Sequence, residues 1–120
     1  MSKDYRDITK RVSTSLATLR SDAPELMKAF GTLSHAALRD GALEHKTKEL
    51  IALCLGVAGH CDACIGFHVK ALIKAGATRA EIEEALGVPV YMGGGPSLMY
   101  AADVLTAYEQ MTNSAASVAA

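Results

Sequence analysis

Apolar residues recur at intervals of three and four along most of the chain, the spacing that places them on one face of an α-helix. The first stripe contains Tyr5, Ile8, Val12, Leu16 and Leu19. No segment shows the apolar–polar alternation, bounded by turns, that is typical of a half-buried strand. The pattern therefore predicts an all-α, single-domain bundle of about six helices with no sheet.

Turn and capping residues predict where these helices begin and end. Asp22 with Glu25 resembles a capping box that starts the second helix, and Gly41 ends it. Thr78 with Glu81 forms a second capping box, and Pro89 is expected to kink or end the helix that follows. The third, fourth and last helices are predicted at about 44–58, 61–75 (stopped by Gly76) and 96–112, the last after three glycines at 93–95.

The length and composition indicate one domain, predicted over residues 1–112, with a disordered tail at 113–120. Half of the 120 residues are hydrophobic and none is Trp, so the core must consist of aliphatic residues. The net charge is −1 and no basic stripe is present, which argues against nucleic-acid binding. We see no targeting or membrane segment, so a cytoplasmic location is the default expectation.

Three cysteines are present, an odd number in a chain without an export signal, which favours catalytic, metal-binding or core cysteines over structural disulfides. Cys61 and Cys64 form a Cys-x-x-Cys pair, His68 follows four residues later, and Glu49 precedes the pair by twelve. One helical turn separates the thiols by roughly 4.5 Å along the axis, compatible with a disulfide. A nearby base can generate the reactive thiolate. The set predicts dithiol–disulfide chemistry.

Two arguments compete over which cysteine is the nucleophile. His68 lies at i+4 from Cys64 and can touch it, whereas Cys61 is a further turn away. Cys61, however, lies near a helix N-terminus, which favours a thiolate. We favour Cys64, because a hydrogen-bonded base also accepts the proton. An antiparallel pair of helices joined near Gly59 would bring Glu49 beside His68, where a carboxylate would orient the imidazole.

Other readings of these residues are less well supported. A zinc site would take Cys61, Cys64 and His68, with His60 or Glu49 as the fourth ligand, but the second ligand pair that a structural zinc site normally has is missing. Two positions stay open for His60, one in a turn and one in the redox site. Cys54 lies in an apolar run and is expected in the core, and His35 and His45 are expected on the surface. A thioredoxin is disfavoured, because its Cys-x-x-Cys requires a βαβ context.

The spacing Glu-x11-Cys-x2-Cys-x3-His in an all-α chain resembles the AhpD-like alkylhydroperoxidase branch of the carboxymuconolactone decarboxylase family. The resemblance covers about residues 44–111, more than half of the chain. It includes Glu49-Leu-Ile-Ala-Leu, the cysteine pair, Gly76-Ala-Thr-x-x-Glu-Ile and Met92-Gly-Gly-Gly-Pro-Ser-Leu-Met-Tyr-Ala-Ala.

The resemblance implies a peroxidase in which Cys64 is the peroxidatic cysteine and Cys61 the resolving one. His68 and Glu49 would then form a proton relay, with no metal or other cofactor. The substrate would be a small peroxide and the reductant an external dithiol. The best-studied peroxidases of the family carry a further histidine just before the second cysteine, where this chain has Ala63.

Two other functions stay open. One is decarboxylation of a small lactone acid, although that branch generally lacks the cysteine pair. The other is a non-enzymatic redox-sensing subunit whose disulfide changes its assembly. The wide apolar arc of the last helix predicts a homo-oligomer with that helix at the interface. The resemblance implies trimers or hexamers, and we expect a hexamer.

Overall fold

The computed structural model describes residues 3–113 and is helical throughout, without a strand in that range. The predicted all-α, six-helix architecture is confirmed. The tail predicted at residues 113–120 lies outside the described residues, apart from Asn113. The helices are α1 (Tyr5–Asp22), α2 (Pro24–Leu38), α3 (His45–Ala58), α4 (Asp62–Lys74), α5 (Arg79–Gly93) and α6 (Gly95–Thr112).

The antiparallel α3–α4 hairpin forms the centre of the bundle, and α1, α5 and α6 pack around it. A single core joins these helices, and it is aliphatic, as expected, except for the aromatic ring of Tyr5. The largest side chains with no exposed surface are Tyr5, Leu53, Val57, Ile65, Val69, Leu72, Ile82 and Val104.

A close approach of α3 and α4 at Gly56 sets the geometry of this hairpin. Gly56 is buried, and a Cβ atom built on it would lie 2.9 Å from the Cβ atom of Cys64. Real Cβ atoms do not come this close, so α4 can approach α3 only because residue 56 has no side chain. The glycine therefore positions Cys64 against α3.

The start of α1 is tied to the start of α4 and to α6 by polar contacts, which are half-buried at Tyr5 and exposed at Lys3. The Tyr5 N–H donates to Gln110 Oε1 at 2.8 Å, and the Tyr5 hydroxyl donates to Asp62 Oδ1 at 3.3 Å. Lys3 forms ion pairs with Asp62 and Asp103 at 3.0 and 3.1 Å. Burial, together with these two carboxylates, raises the pKa of Tyr5 well above its ordinary value, so the hydroxyl remains a donor.

The predicted start of α2 is wrong in detail. Helix α1 continues through Asp22, and the N-cap of α2 is Ala23, whose side chain cannot cap. Asp22 is thus the last residue of one helix rather than the cap of the next. Pro24 occupies the first helical turn, where its missing N–H is not needed. Helix α2 also ends at Leu38, before the predicted stop at Gly41.

Pro89 does not end α5, which was one of the two predicted outcomes, because the helix continues to Gly93. Proline has no N–H to donate to the carbonyl of residue i−4, which here is Ala85. The Cys54 thiol of α3 lies 3.4 Å from that carbonyl oxygen and donates to it. Cys54 therefore provides a hydrogen bond to the Ala85 carbonyl that the proline leaves without a donor. Burial raises the pKa of the Cys54 thiol.

Two other predicted boundaries are confirmed. The Thr78–Glu81 capping box is complete, with the Thr78 side chain accepting from the Glu81 N–H and the Glu81 side chain accepting from the Thr78 N–H. Gly94 lies between α5 and α6 with φ of 71°, a left-handed conformation that favours glycine. The glycine run is therefore a tight turn between packed helices.

Helix α2 is the least covered element, because none of its residues is buried. Its apolar face consists of Leu26, Phe30 and Leu33, which are 61–63% exposed. Within residues 3–113, no helix combines the length and the apolar character needed to cross a bilayer.

We expect Gly56→Ala and Gly87→Ala to change stability in opposite directions. The first places a methyl group against Cys64 and should destabilise the fold by about 1–3 kcal/mol. The second lies in the exposed interior of α5 with no atom nearby, and should stabilise by about 0.5–1 kcal/mol. Urea unfolding of both variants measures the difference. Equal stabilisation by the two substitutions would show that α3 and α4 do not pack as described.

Candidate active site

Cys61 is the N-cap residue of α4, and its sulfur accepts a hydrogen bond from the first turn of that helix. Its backbone is extended, with φ of −109° and ψ of 100°, and Sγ accepts a hydrogen bond from the Cys64 N–H at 3.3 Å. A free N–H group and the positive end of the helix dipole both favour negative charge at this position. The Cys61 sulfur therefore faces an N–H donor at the positive end of the α4 dipole.

Cys64 points back at Cys61, with the two Sγ atoms 2.6 Å apart. Both are free thiols and both are partly exposed. A disulfide requires about 2.05 Å between the sulfurs, so only a small movement separates the dithiol from the disulfide. Burial, followed by the hydrogen bond to Cys61 and the charge on Cys61, raises the pKa of the Cys64 thiol to about 11. At neutral pH, this arrangement therefore keeps the Cys64 thiol protonated.

Glu49 and His68 form a hydrogen-bonded pair across the α3–α4 interface, with His68 Nδ1 2.7 Å from Glu49 Oε1. The predicted contact between them is confirmed. The carboxylate is buried, with 5% of its side chain exposed, and His68 is 26% exposed. A carboxylate can only accept, so Nδ1 of His68 carries the proton and the other ring nitrogen is the base in the neutral ring.

The structure does not join every residue that the sequence analysis grouped. Within the described residues, no hydrogen bond links His68 to either sulfur, because the Cys64 thiol is turned toward Cys61. His60 has a left-handed backbone in the turn before α4, and its ring stacks on Tyr100 of α6 with centroids 4.6 Å apart. Its ring is therefore engaged by α6, and it makes no hydrogen bond to the thiols.

His45 is a residue of this site that the sequence analysis missed, since it was expected on the surface. Its Nε2 atom lies 3.6 Å from Glu49 Oε2, on the side of the carboxylate opposite the His68 contact. The signal was present in the chain, because His45 and Glu49 are four residues apart on one helix. Among residues 3–113, no group of three or more His, Cys, Asp and Glu side chains is arranged to hold a metal ion. The zinc alternative therefore has no ligand set in this range.

Comparison with solved structures shows the same fold in other proteins of known family. A carboxymuconolactone decarboxylase family protein from Legionella pneumophila, solved in its apo form, is 57% identical, with a TM-score of 0.87. The match covers 88% of this chain and 95% of that one. A family protein from Thermotoga maritima is 31% identical with a TM-score of 0.69, covering 76% of this chain and 94% of that one.

Sequence comparisons agree with the structural ones. An uncharacterized protein from Cupriavidus necator is 34% identical over 111 residues, which is 92% of this chain and 98% of that protein. An uncharacterized protein encoded in the cox locus of Paracoccus denitrificans is 32% identical over 101 residues, 84% of this chain and 91% of that protein. The model of the carboxymuconolactone decarboxylase family matches residues 24–107. The chain belongs to the carboxymuconolactone decarboxylase family.

Proposed function

We propose that this protein is a thiol-dependent peroxidase of the AhpD-like type, which cycles Cys61 and Cys64 between dithiol and disulfide. The observation that carries the proposal is the 2.6 Å distance between the Cys61 and Cys64 sulfurs. His68, one helical turn after Cys64, is hydrogen-bonded to the buried Glu49 carboxylate. The Thermotoga maritima relative has been suggested to take part in an antioxidative response, which supports a peroxide as substrate. We place the cycle in the cytoplasm, where thiols are kept reduced.

The first half of the proposed cycle oxidises Cys64. Rotation of its side chain toward His68, one turn away, brings the thiol to the imidazole, which accepts the proton. The Cys64 thiolate then attacks one oxygen of the peroxide and breaks the O–O bond. The leaving alkoxide takes the proton from His68 and departs as an alcohol, and Cys64 becomes a sulfenic acid. Glu49 stabilises the His68 imidazolium during this step.

The second half closes the disulfide. Cys61, whose sulfur lies at the N-terminus of α4, attacks the Cys64 sulfur as a thiolate, and the hydroxide that leaves is protonated to water. An external dithiol reduces the Cys61–Cys64 disulfide and is itself oxidised. His60 has no step in this cycle, because its ring is stacked on Tyr100. The cycle uses no metal or other cofactor.

Two other functions make different demands on the same residues. Decarboxylation of a small lactone acid, the activity in the family's name, would continue after both cysteines are replaced. A redox-sensing subunit would change its assembly on oxidation without consuming peroxide. The sulfur–sulfur contact favours the redox functions over decarboxylation.

We expect Cys64→Ser to lower peroxide consumption by at least about 10³-fold, because the attacking thiolate is lost. Cys61→Ser should allow one turnover and then stop at the sulfenic acid. Cys54→Ser is the matched control and should consume peroxide at the wild-type rate. For the wild type, the rate should rise with pH from 7, since the pKa of the Cys64 thiol is raised to about 11.

Peroxide loss measured with a small dithiol as reductant, at several pH values, tests these expectations. Undiminished turnover in Cys64→Ser would refute the mechanism. Turnover of a lactone acid that survives the double substitution of Cys61 and Cys64 would replace it with the decarboxylase alternative.

We also propose that the protein is a homo-oligomer, with a hexamer as its assembly. The exposed apolar face of α2, defined by Leu26, Phe30 and Leu33, supports this proposal. The last helix supports it only at its start, where Leu98 and Met99 are exposed, since the rest of its apolar arc lies mainly in the core. A second copy of the chain covers such faces without exposing new apolar surface.

Light scattering at micromolar concentration should give a mass about six times the 12.6 kDa of one subunit. Phe30→Glu places a charge in the apolar face of α2 and should lower that mass. Thr32→Glu, an exposed polar position on the same helix, is the matched control and should leave it unchanged. A wild-type protein that remains at 12.6 kDa would contradict the proposed assembly.

A further inference from the structure

His45, the first residue of α3, makes three polar contacts with its surroundings. Its N–H donates to Asp40 Oδ1 at 2.7 Å, and ring atom Nδ1 lies 2.6 Å from the carbonyl oxygen of Leu38. The other ring nitrogen, Nε2, faces Glu49 Oε2 at 3.6 Å. The ring therefore bridges the last residue of α2 and the buried carboxylate of α3.

These contacts fix which nitrogen carries the proton. A carbonyl oxygen can only accept, so Nδ1 of His45 is the donor to Leu38. In the neutral ring, Nε2 then has a lone pair that faces a carboxylate oxygen, and nothing bonds the two. In the doubly protonated ring, the same atoms attract each other as an ion pair. The contact with Glu49 is favourable only when His45 is a cation.

Groups of both charges surround the His45 ring. Leu38 supplies a carbonyl at the C-terminal end of α2, where the helix dipole is negative, and Asp40 and Glu49 add two carboxylates. His68 faces the same carboxylate from α4. The side chains that disfavour a positive charge on His45 are Arg20, His35 and Arg39. They line a groove of about 600 Å³ between α1, α2 and the start of α3. The His45 side chain is 41% exposed, so protons from solvent reach it.

We infer that His45 is a positioning residue, which acts through Glu49 on the proton affinity of His68. When His45 is charged, Glu49 divides its charge between two imidazoles, and its hydrogen bond to His68 Nδ1 weakens. When His45 is neutral, Glu49 acts on His68 alone and makes it the stronger base. The inference rests on the proposed function only where it assigns His68 as the base for Cys64.

Substitutions that remove or fix the charge at position 45 separate this role from a structural one. His45→Gln keeps a side chain of similar length without a charge, and His45→Lys carries a charge at all working pH values. A purely structural role would shift the properties of His68 in the same direction in both variants. An electrostatic role shifts them in opposite directions. His35→Gln, in the same groove but with no contact to Glu49, is the matched control.

The test is NMR of the His68 Nδ1–H proton across pH 5–9 in protein labelled with ¹⁵N-histidine. In the wild type, this resonance should move upfield in a step that follows protonation of the His45 ring. The step should vanish in His45→Gln, which keeps the downfield position, and His45→Lys should stay upfield throughout. At pH 7, the alkylation rate of Cys64 should fall severalfold in His45→Lys relative to His45→Gln.

A His68 resonance with the same pH response in the wild type, His45→Gln and His45→Lys would overturn the inference, and so would a His35→Gln effect as large as that of His45→Gln. The NMR signature requires no peroxide turnover. A protein that shows it but consumes no peroxide keeps the inference about His45 and loses the proposed function.

Discussion

The close approach of α3 and α4 at Gly56 is the constraint on which the rest of the site depends. Glu49 lies on one of these helices, and Cys64 and His68 lie on the other, one turn apart. A side chain at residue 56 would meet the Cβ atom of Cys64 and separate the helices. The 2.7 Å bond between Glu49 and His68 would then lengthen, and the buried carboxylate would lose its nearest partner.

That carboxylate is the second determinant of the site. A buried charge is costly unless it is paired and hydrogen-bonded, and breaking such a pair typically costs more than the pair contributes. Glu49 is buried and has an imidazole on each oxygen. Its charge thus orients His68 and connects that ring to His45 and, through Leu38, to α2. A helix with no buried residue is in this way linked to the centre of the site.

Local rules in the sequence predicted much of this arrangement. The Thr78 capping box and the glycine turn at Gly94 are confirmed, since they depend on residues within one turn of each other. The pairing of Glu49 with His68 followed from an antiparallel hairpin in which both lie about equally far from the turn. The cysteine pair followed from spacing on one helix.

The errors arose where a distant residue changed a local rule. Pro89 does not end α5, because the thiol of Cys54 on another helix occupies the freed Ala85 carbonyl. The Cys64 thiol is turned toward Cys61, and the sequence alone could not choose between that rotamer and one facing His68. His45 is 41% exposed, as its polar neighbours predicted, but its contacts with Leu38 and Glu49 were missed because they depend on where α2 ends.

The central claim is that Cys61 and Cys64 are one redox couple, separate from Cys54. Intact-mass and peptide mass spectrometry after one equivalent of an organic hydroperoxide, followed by alkylation, tests it most directly. The account predicts loss of two hydrogen atoms, a peptide in which Cys61 is bonded to Cys64, and full alkylation of Cys54 once the protein is unfolded in denaturant. Alkylation of both Cys61 and Cys64 after peroxide, or a disulfide that includes Cys54, would contradict it.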